Sequence, residues 1–169
     1  MGYLFVNIME LADVGKVVPS AEGAKVPYMR SGYSRFWNGE KYWPCQAPPW
    51  GEMAAVNLNT GEIAWKVPFG IVVELEAKGI HDTGAPNIGG SIATAGGLVF
   101  IGATNDHRFR AFDAKTGKVI WETKLEAGAY ATPITYQGTD GKQYVAVVAA
   151  GGSYYDRTSG DSLIAFALP

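Results

Sequence analysis

Ala111-Phe112-Asp113-Ala114-Lys115-Thr116-Gly117-Lys118-Val119-Ile120-Trp121 repeats Ala55-Val56-Asn57-Leu58-Asn59-Thr60-Gly61-Glu62-Ile63-Ala64-Trp65, whose first residue lies 56 positions earlier. A third copy begins at Ala165-Phe166-Ala167, 54 positions after the second, and the sequence runs on to Pro169. Each full copy reads as a strand, a tight turn and a second strand. The Asn or Asp side chain bonds the backbone of the turn, and Gly takes its positive-φ position. Two copies of an eleven-residue pattern at one period make an internal repeat the first fact about this chain.

The residues between the copies complete the unit. Ile88 to Ala95 reads as a first strand, and Leu98 to Thr104 as a near-continuous apolar second strand after the Gly96-Gly97 turn. Phe109 to Ala114 and Val119 to Leu125 are the third and fourth. The next unit repeats the order with Tyr130 to Tyr136, Tyr144 to Ala150 and Ser162 to Leu168, the first two joined by a turn at Gly138–Lys142. Four strands per repeat at a period of about 40–60 residues is the signature of a propeller blade. The expected fold is all-β: a partial β-propeller of about two and a half to three four-stranded antiparallel blades. Residues 1–70 form an incomplete blade lacking its innermost strand (Tyr3 to Ile8, Met53 to Leu58 and Ile63 to Val67 remain), with a long insertion at 12–51. Residues 85–126 form a complete blade, and 127–169 a three-stranded last one. The insertion is too rich in Gly, Pro and aromatics for another blade, and loops of that length are usually functional or disordered.

Composition agrees. At 169 residues, 47% hydrophobic and 18% charged, the chain belongs to the globular class, and 22 glycines with 12% aromatics suit a turn-rich β protein. The 14 basic residues are scattered against 16 acidic ones, which leaves no footprint for nucleic acid. The single cysteine, Cys45, excludes an internal disulfide and is expected as a small buried apolar residue. The apolar opening from Met1 to Val18 lacks a basic n-region and is interrupted by Glu10 and Asp13, so it is not a signal peptide. No stretch approaches the ~20 apolar residues of a membrane helix. Expressed as it stands, the chain is expected in the cytoplasm.

The pattern Ala-x-Asp/Asn-x-x-Thr-Gly-x-x-x-Trp resembles the tryptophan docking motif of quinoprotein dehydrogenases, whose eight-bladed propellers hold pyrroloquinoline quinone (PQQ). Cys45-Gln46-Ala47-Pro48-Pro49-Trp50-Gly51, Pro86-Asn87-Ile88-Gly89-Gly90-Ser91 and Thr94-Ala95-Gly96-Gly97-Leu98-Val99-Phe100 are similar to the C-terminal end of the membrane-bound glucose dehydrogenase type. Ala131-Thr132-Pro133 and Gly141-Lys142-Gln143-Tyr144-Val145 extend the likeness over nearly the whole chain, weakest in Ala12 to Asn38. The resemblance implies a periplasmic oxidoreductase in which PQQ lies on the propeller axis beside calcium or magnesium. There a carboxylate base takes the hydroxyl proton of a sugar or alcohol while hydride passes to the quinone. It also implies that the base and most metal and PQQ ligands belong to earlier blades. No catalytic or metal residue is therefore assigned here, and no tightly bound cofactor is expected on this chain alone.

The candidate cofactor-contacting residues are Asn87, Gly89 and Gly90, which open an innermost strand, and Trp50, placed at a pocket mouth. Against this, the glycines serve equally to let strands pack closely at the axis, and Trp50 to pack on its own blade. Many glucose-type members carry His after the second glycine pair, where this chain has Gly151-Gly152-Ser153. His81 and His107 read as solvated surface histidines, and Asp156, Arg157 and Asp161 as a solvated mixed-charge loop. Lys115 and Lys118 carry no nucleophile signature. Trp121 is expected buried against the neighbouring blade, and Trp65 less completely because an inner strand is missing. Bare blade edges predict self-association. The two functions in view are a non-autonomous piece of a PQQ-dependent sugar or polyol dehydrogenase and a stand-alone propeller-derived binding or assembly module.

Overall fold

The computed structural model describes residues 2–39, 41 and 43–167. They form two units, one from 2–9 with 48–167 and the other within 10–47. In chain order the strands are β1 (Tyr3–Met9), β2 (Asp13–Pro19), β3 (Tyr28–Arg35), β4 (Gly51–Asn57) and β5 (Ile63–Pro68). After the one-turn helix α1 (Val73–Glu76) come β6 (Ile92–Ala93), β7 (Leu98–Ile101), β8 (Arg108–Asp113) and β9 (Val119–Lys124). The last are β10 (Ile134–Gln137), β11 (Gln143–Ser153) and β12 (Asp156–Ala167). No helix among the described residues is long and apolar enough to cross a membrane.

The larger unit holds three antiparallel sheets in the orders β1-β4-β5, β6-β7-β8-β9 and β10-β11-β12. The fold is a partial propeller. The repeated motif forms β4-turn-β5 and β8-turn-β9, and the two copies match atom for atom where it matters. Gly61 N donates to Asn57 O at 2.7 Å and Gly117 N to Asp113 O at 2.9 Å. Thr116 donates to Asp113 Oδ1 through its backbone N–H and its hydroxyl, both at 2.8 Å. Those bonds, the hydroxyl first, hold the Asp113 carboxyl below its ordinary pKa. Both copies also slip register at the same place, between Ala55 and Val56 and between Ala111 and Phe112. That bulge turns the following Trp toward the next sheet.

Packing explains why β7 reads as a near-continuous apolar run, with Val99 and Ile101 in one core and Phe100 against the other. On β8, Phe112 joins Met53, Trp65, Phe69, Val99 and Ile101 in the core toward the first sheet. Phe109 joins Leu125, Val145, Val147 and the flanking Phe100, Ile164 and Phe166 toward the third. A strand covered on both faces has no polar side to show. Arg110, also on β8, is buried but bonded to Thr104 and Asp106 and lies over the Phe69 ring.

Several expectations are corrected. Trp65, not Trp121, is the well-buried docking residue. Its indole Nε1 donates to Ala114 O at 3.0 Å, and it is 9% exposed. Trp121 is 38% exposed and meets Phe166 edge-on at 5.1 Å beside a groove of about 890 Å³. The reason is the surface beneath each ring. Trp65 lies on the turn from Ala114 to Gly117, whereas Trp121 meets the side of Phe166 on β12. The missing inner strand of the first sheet costs Trp65 nothing, because its support comes from the second sheet. The first strand of the complete blade shrinks from Ile88–Ala95 to β6, continued by an isolated bridge between Asn87 and Thr104. The expected Ser162 to Leu168 strand begins earlier, at Asp156, and its last residue lies outside the described residues.

The smaller unit is not structureless. β2 and β3 pair as an antiparallel hairpin with a bulge between Gly15 and Lys16. Gln46 closes its base, donating to Glu10 O at 2.7 Å and accepting from Ala12 N at 3.0 Å. Cys45 is exposed rather than buried, since a two-stranded hairpin has no core to cover it.

The motif glycines provide a test of this packing. Gly61 and Gly117 have nearly equal φ, 76° and 72°, but a Cβ on Gly61 meets nothing within 4 Å, while one on Gly117 comes 2.6 Å from Trp65 Cε3. Gly61→Ala should cost only the strain of a positive φ, and Gly117→Ala about 1–3 kcal/mol more from overpacking. In the same urea series Trp65→Ala should cost about 3–5 kcal/mol and exceed Trp121→Ala. Equal midpoints within either pair would contradict the docking geometry.

Candidate functional site

Each sheet has two ends. One carries the tight turns Thr94–Gly97 and Asp113–Gly117, and the other carries the longer connections. At this second end the segments 48–50, 83–91, 102–107, 125–133 and 150–156 lie side by side, laced by backbone bonds across all three sheets. Ala85 N donates to Phe69 O at 2.9 Å, Ile88 N to Ala103 O at 2.9 Å, Ala103 N to Ala129 O at 2.7 Å and Gly151 N to Gly128 O at 2.8 Å. Function concentrates on such connections in β folds, because the strands hold them in place.

The sequence-predicted residues all lie here. Asn87 is 3% exposed, and its amide is consumed within the fold. Its Nδ2 donates to Ile8 O at 2.9 Å and Ala85 O at 3.1 Å, and its Oδ1 accepts from Asn7 Nδ2 at 2.9 Å. Asn87 thus ties β1 to the entry of the complete blade. Gly89 has φ 142° and a Cβ there would come 2.7 Å from Tyr130 O, while one on Gly90 would meet Thr132 Oγ1 at 2.6 Å. The glycine pair lets the innermost segments of two blades touch. Trp50, expected at a pocket mouth, is only 5% exposed, and its N–H donates to Thr83 O at 2.7 Å.

Two polar clusters at this end were not foreseen. In the first, Asp106 accepts from Ile71 N at 3.0 Å, from the Thr104 hydroxyl at 2.6 Å and from the Arg110 guanidinium, which also reaches Glu122. The buried Arg110–Asp106 pair is held by further hydrogen bonds on both partners, as a buried charged pair requires, so it fastens the connector after β5 to the middle sheet.

The second cluster overturns the solvated readings of His107 and Asp156. The His107 imidazole is 18% exposed, and its Nε2 lies 2.9 Å from Asp156 Oδ2. The Tyr130 hydroxyl donates to the same oxygen at 2.9 Å, and Thr158 N donates to Oδ1 at 2.9 Å. Burial pushes the Asp156 carboxyl up, but the bonds from Thr158 and Tyr130, with His107 nearby, outweigh it and leave the pKa below the ordinary value. Burial, with Asp156 behind it, pushes the Tyr130 phenol well above its ordinary value against the opposing bond from Ser153. The repeat carried the signal: His107 and Asp156 occupy the same connection, second strand to third, in successive blades. His81 does remain at the surface, 2.7 Å from Glu76.

Among the described residues no group of three or more His, Cys, Asp or Glu side chains is set to hold a metal ion.

Residues 2–145 match the family described as "PQQ: Glucose/ethanol/alcohol dehydrogenase, beta-propeller domain". The chain is 42% identical to the "Probable quinate dehydrogenase (quinone)" of Xanthomonas campestris pv. juglandis, over 95% of this chain and 21% of that protein. It is 44% identical to quinoprotein glucose dehydrogenase A of Acinetobacter calcoaceticus, over 75% of this chain and 16% of that one. Among solved structures it resembles a europium-containing methanol dehydrogenase, with TM-score 0.63 and 30% identity over 89% of this chain and 23% of that one. The chain therefore spans about a fifth of the length of the curated relatives it matches.

Because Asp156 titrates lower folded than unfolded, its contribution to stability is present above the unfolded carboxylate value of about 4 and lost as pH falls through the folded one. The unsubstituted chain should lose urea stability between about pH 5 and pH 3 more steeply than Asp156→Asn. Parallel pH curves for the two would show that Asp156 does not join the second and third sheets.

Proposed function

The chain belongs to the PQQ-dependent glucose/ethanol/alcohol dehydrogenase β-propeller family, and from that premise we propose that it supplies the C-terminal blades of a longer periplasmic dehydrogenase acting on sugars or polyols. The observation that carries this reading is the incompleteness of the wheel. Three sheets stack through two apolar cores, and the outer face of the last sheet remains apolar, with Ile134, Tyr136, Val148 and Leu163 exposed, Leu163 at 72%. Monomeric proteins rarely leave such a face open. It has the character of the faces that the middle sheet buries on either side.

The described residues do not by themselves fit a PQQ and cation site. No metal-holding group is gathered among them, and the amide of Asn87 is already spent on Ile8, Ala85 and Asn7. In this reading the carboxylate base and the ligands of calcium or magnesium come from other blades. Asn87, Gly89, Gly90 and Trp50 contribute the scaffold beside the cofactor, with Asn87 fixing the segment and the glycines allowing its close approach to Tyr130 and Thr132. Oxidation of a substrate then requires the completed propeller.

The isolated chain, given PQQ and calcium, is expected to show no dye-linked oxidation of glucose, quinate or glycerol. Turnover on the ordinary scale of ~1–1000 per second would overturn the division of labour between blades. The exposed last face and the unpaired edge of β12 should also make the isolated chain associate with itself. Light scattering that finds an 18.1 kDa monomer at high concentration would contradict that.

A further inference from the structure

We propose that His107, oriented by Asp156, is a substrate-hydroxyl acceptor at the connection end of these blades and helps set specificity among polyols. The proposal rests on the reading of the chain as part of a polyol dehydrogenase. It follows from which ring nitrogen the fold uses. Asp156 has Thr158 N on Oδ1 and two groups, the Tyr130 hydroxyl and His107 Nε2, converging on Oδ2. An ionised carboxylate only accepts hydrogen bonds, so the proton of the neutral imidazole sits on Nε2 and the lone pair on Nδ1. Nδ1 has no hydrogen-bond partner among the described residues, and the ring retains 18% exposure.

The backbone supports the same conclusion. His107 sits at φ 60°, a conformation costly for most L side chains, and it ends the connection from β7 to β8. The chain holds an imidazole at this turn, between two blades and sharing Asp156 Oδ2 with Tyr130. A clasp between sheets needs only the Nε2 side of the ring. The same end carries the Asn87–Gly90 segment, since Tyr130, which donates to Asp156, presents its carbonyl to Gly89. Strain of this kind gathers where a side chain must be presented for binding. A polyol hydroxyl, which needs an acceptor that does not compete as a charge, matches the free lone pair.

The chain has two histidines, so ring-nitrogen NMR reads His107 directly with His81 as an internal control. At pH 8, above the ordinary imidazole range of about 6.5, His107 should show the Nε2–H tautomer. Its Nδ1 signal should move saturably on addition of D-glucose or glycerol while His81 stays unmoved. Asp156→Asn should abolish the tautomer preference. In His107→Gly, which the positive φ accommodates, the saturable response of the neighbouring Asp106 and Arg108 amides should be lost. An Nδ1–H tautomer, a shift equal to that of His81, or a response surviving His107→Gly overturns the proposal. If a propeller completed around this chain oxidises polyols while His107 stays silent, this inference falls and the proposed function stands. A saturable response without oxidation has the opposite consequence.

Discussion

Everything in the larger unit depends on one contact: an indole laid across the tight turn of the neighbouring sheet. Trp65 donates to Ala114 O and covers Gly117, so the last strand of one sheet is joined to the turn of the next by a hydrogen bond and an aromatic face together. The requirements on sequence follow from that geometry. The turn must be held by Asp113 and Thr116 so that Ala114 presents its carbonyl. Position 117 must be glycine, both for its positive φ and because a Cβ would strike the ring. A bulge must precede the tryptophan to aim it.

The Trp121 contact shows how directional the arrangement is. The first and second sheets each offer a tryptophan to the following one, and the second also offers its turn to the first. The middle sheet does both and takes part in both apolar cores. The third sheet receives Trp121 edge-on against Phe166, with a groove beside it. Stability in such a stack is a sum of neighbour terms. Outer faces stay apolar because the chemistry that buries them in the middle of the stack is written into every repeat.

At the opposite end the sheets are joined by polar rather than aromatic means. Backbone bonds link the connections, Arg110 and Asp106 anchor one connector, and Tyr130, Asp156 and His107 bridge the second and third sheets. Buried polar groups are costly unless satisfied, and fully satisfied ones specify a unique arrangement. This end is therefore tied together by polar bonds, whereas the docking end is committed to packing. Such a division suits a wheel whose chemistry faces one side.

The sequence by itself determined the blade repeat, the all-β partial-propeller fold and the likeness to PQQ-dependent dehydrogenases. All of these are local or periodic: eleven residues of Ala-x-Asp/Asn-x-x-Thr-Gly-x-x-x-Trp set a turn and two strands in both full copies. Tertiary structure decided which tryptophan is buried, because burial depends on the surface that arrives from another blade 49 residues on, between Trp65 and Ala114. It also decided that Asn87 spends its amide on β1, and that a histidine and an aspartate with nothing notable around them in sequence become a pair. His107 and Asp156 looked like ordinary turn residues because polar residues in turns are usually solvated. Stacking placed two equivalent connections against each other and removed the water between them, which no single-blade pattern encodes.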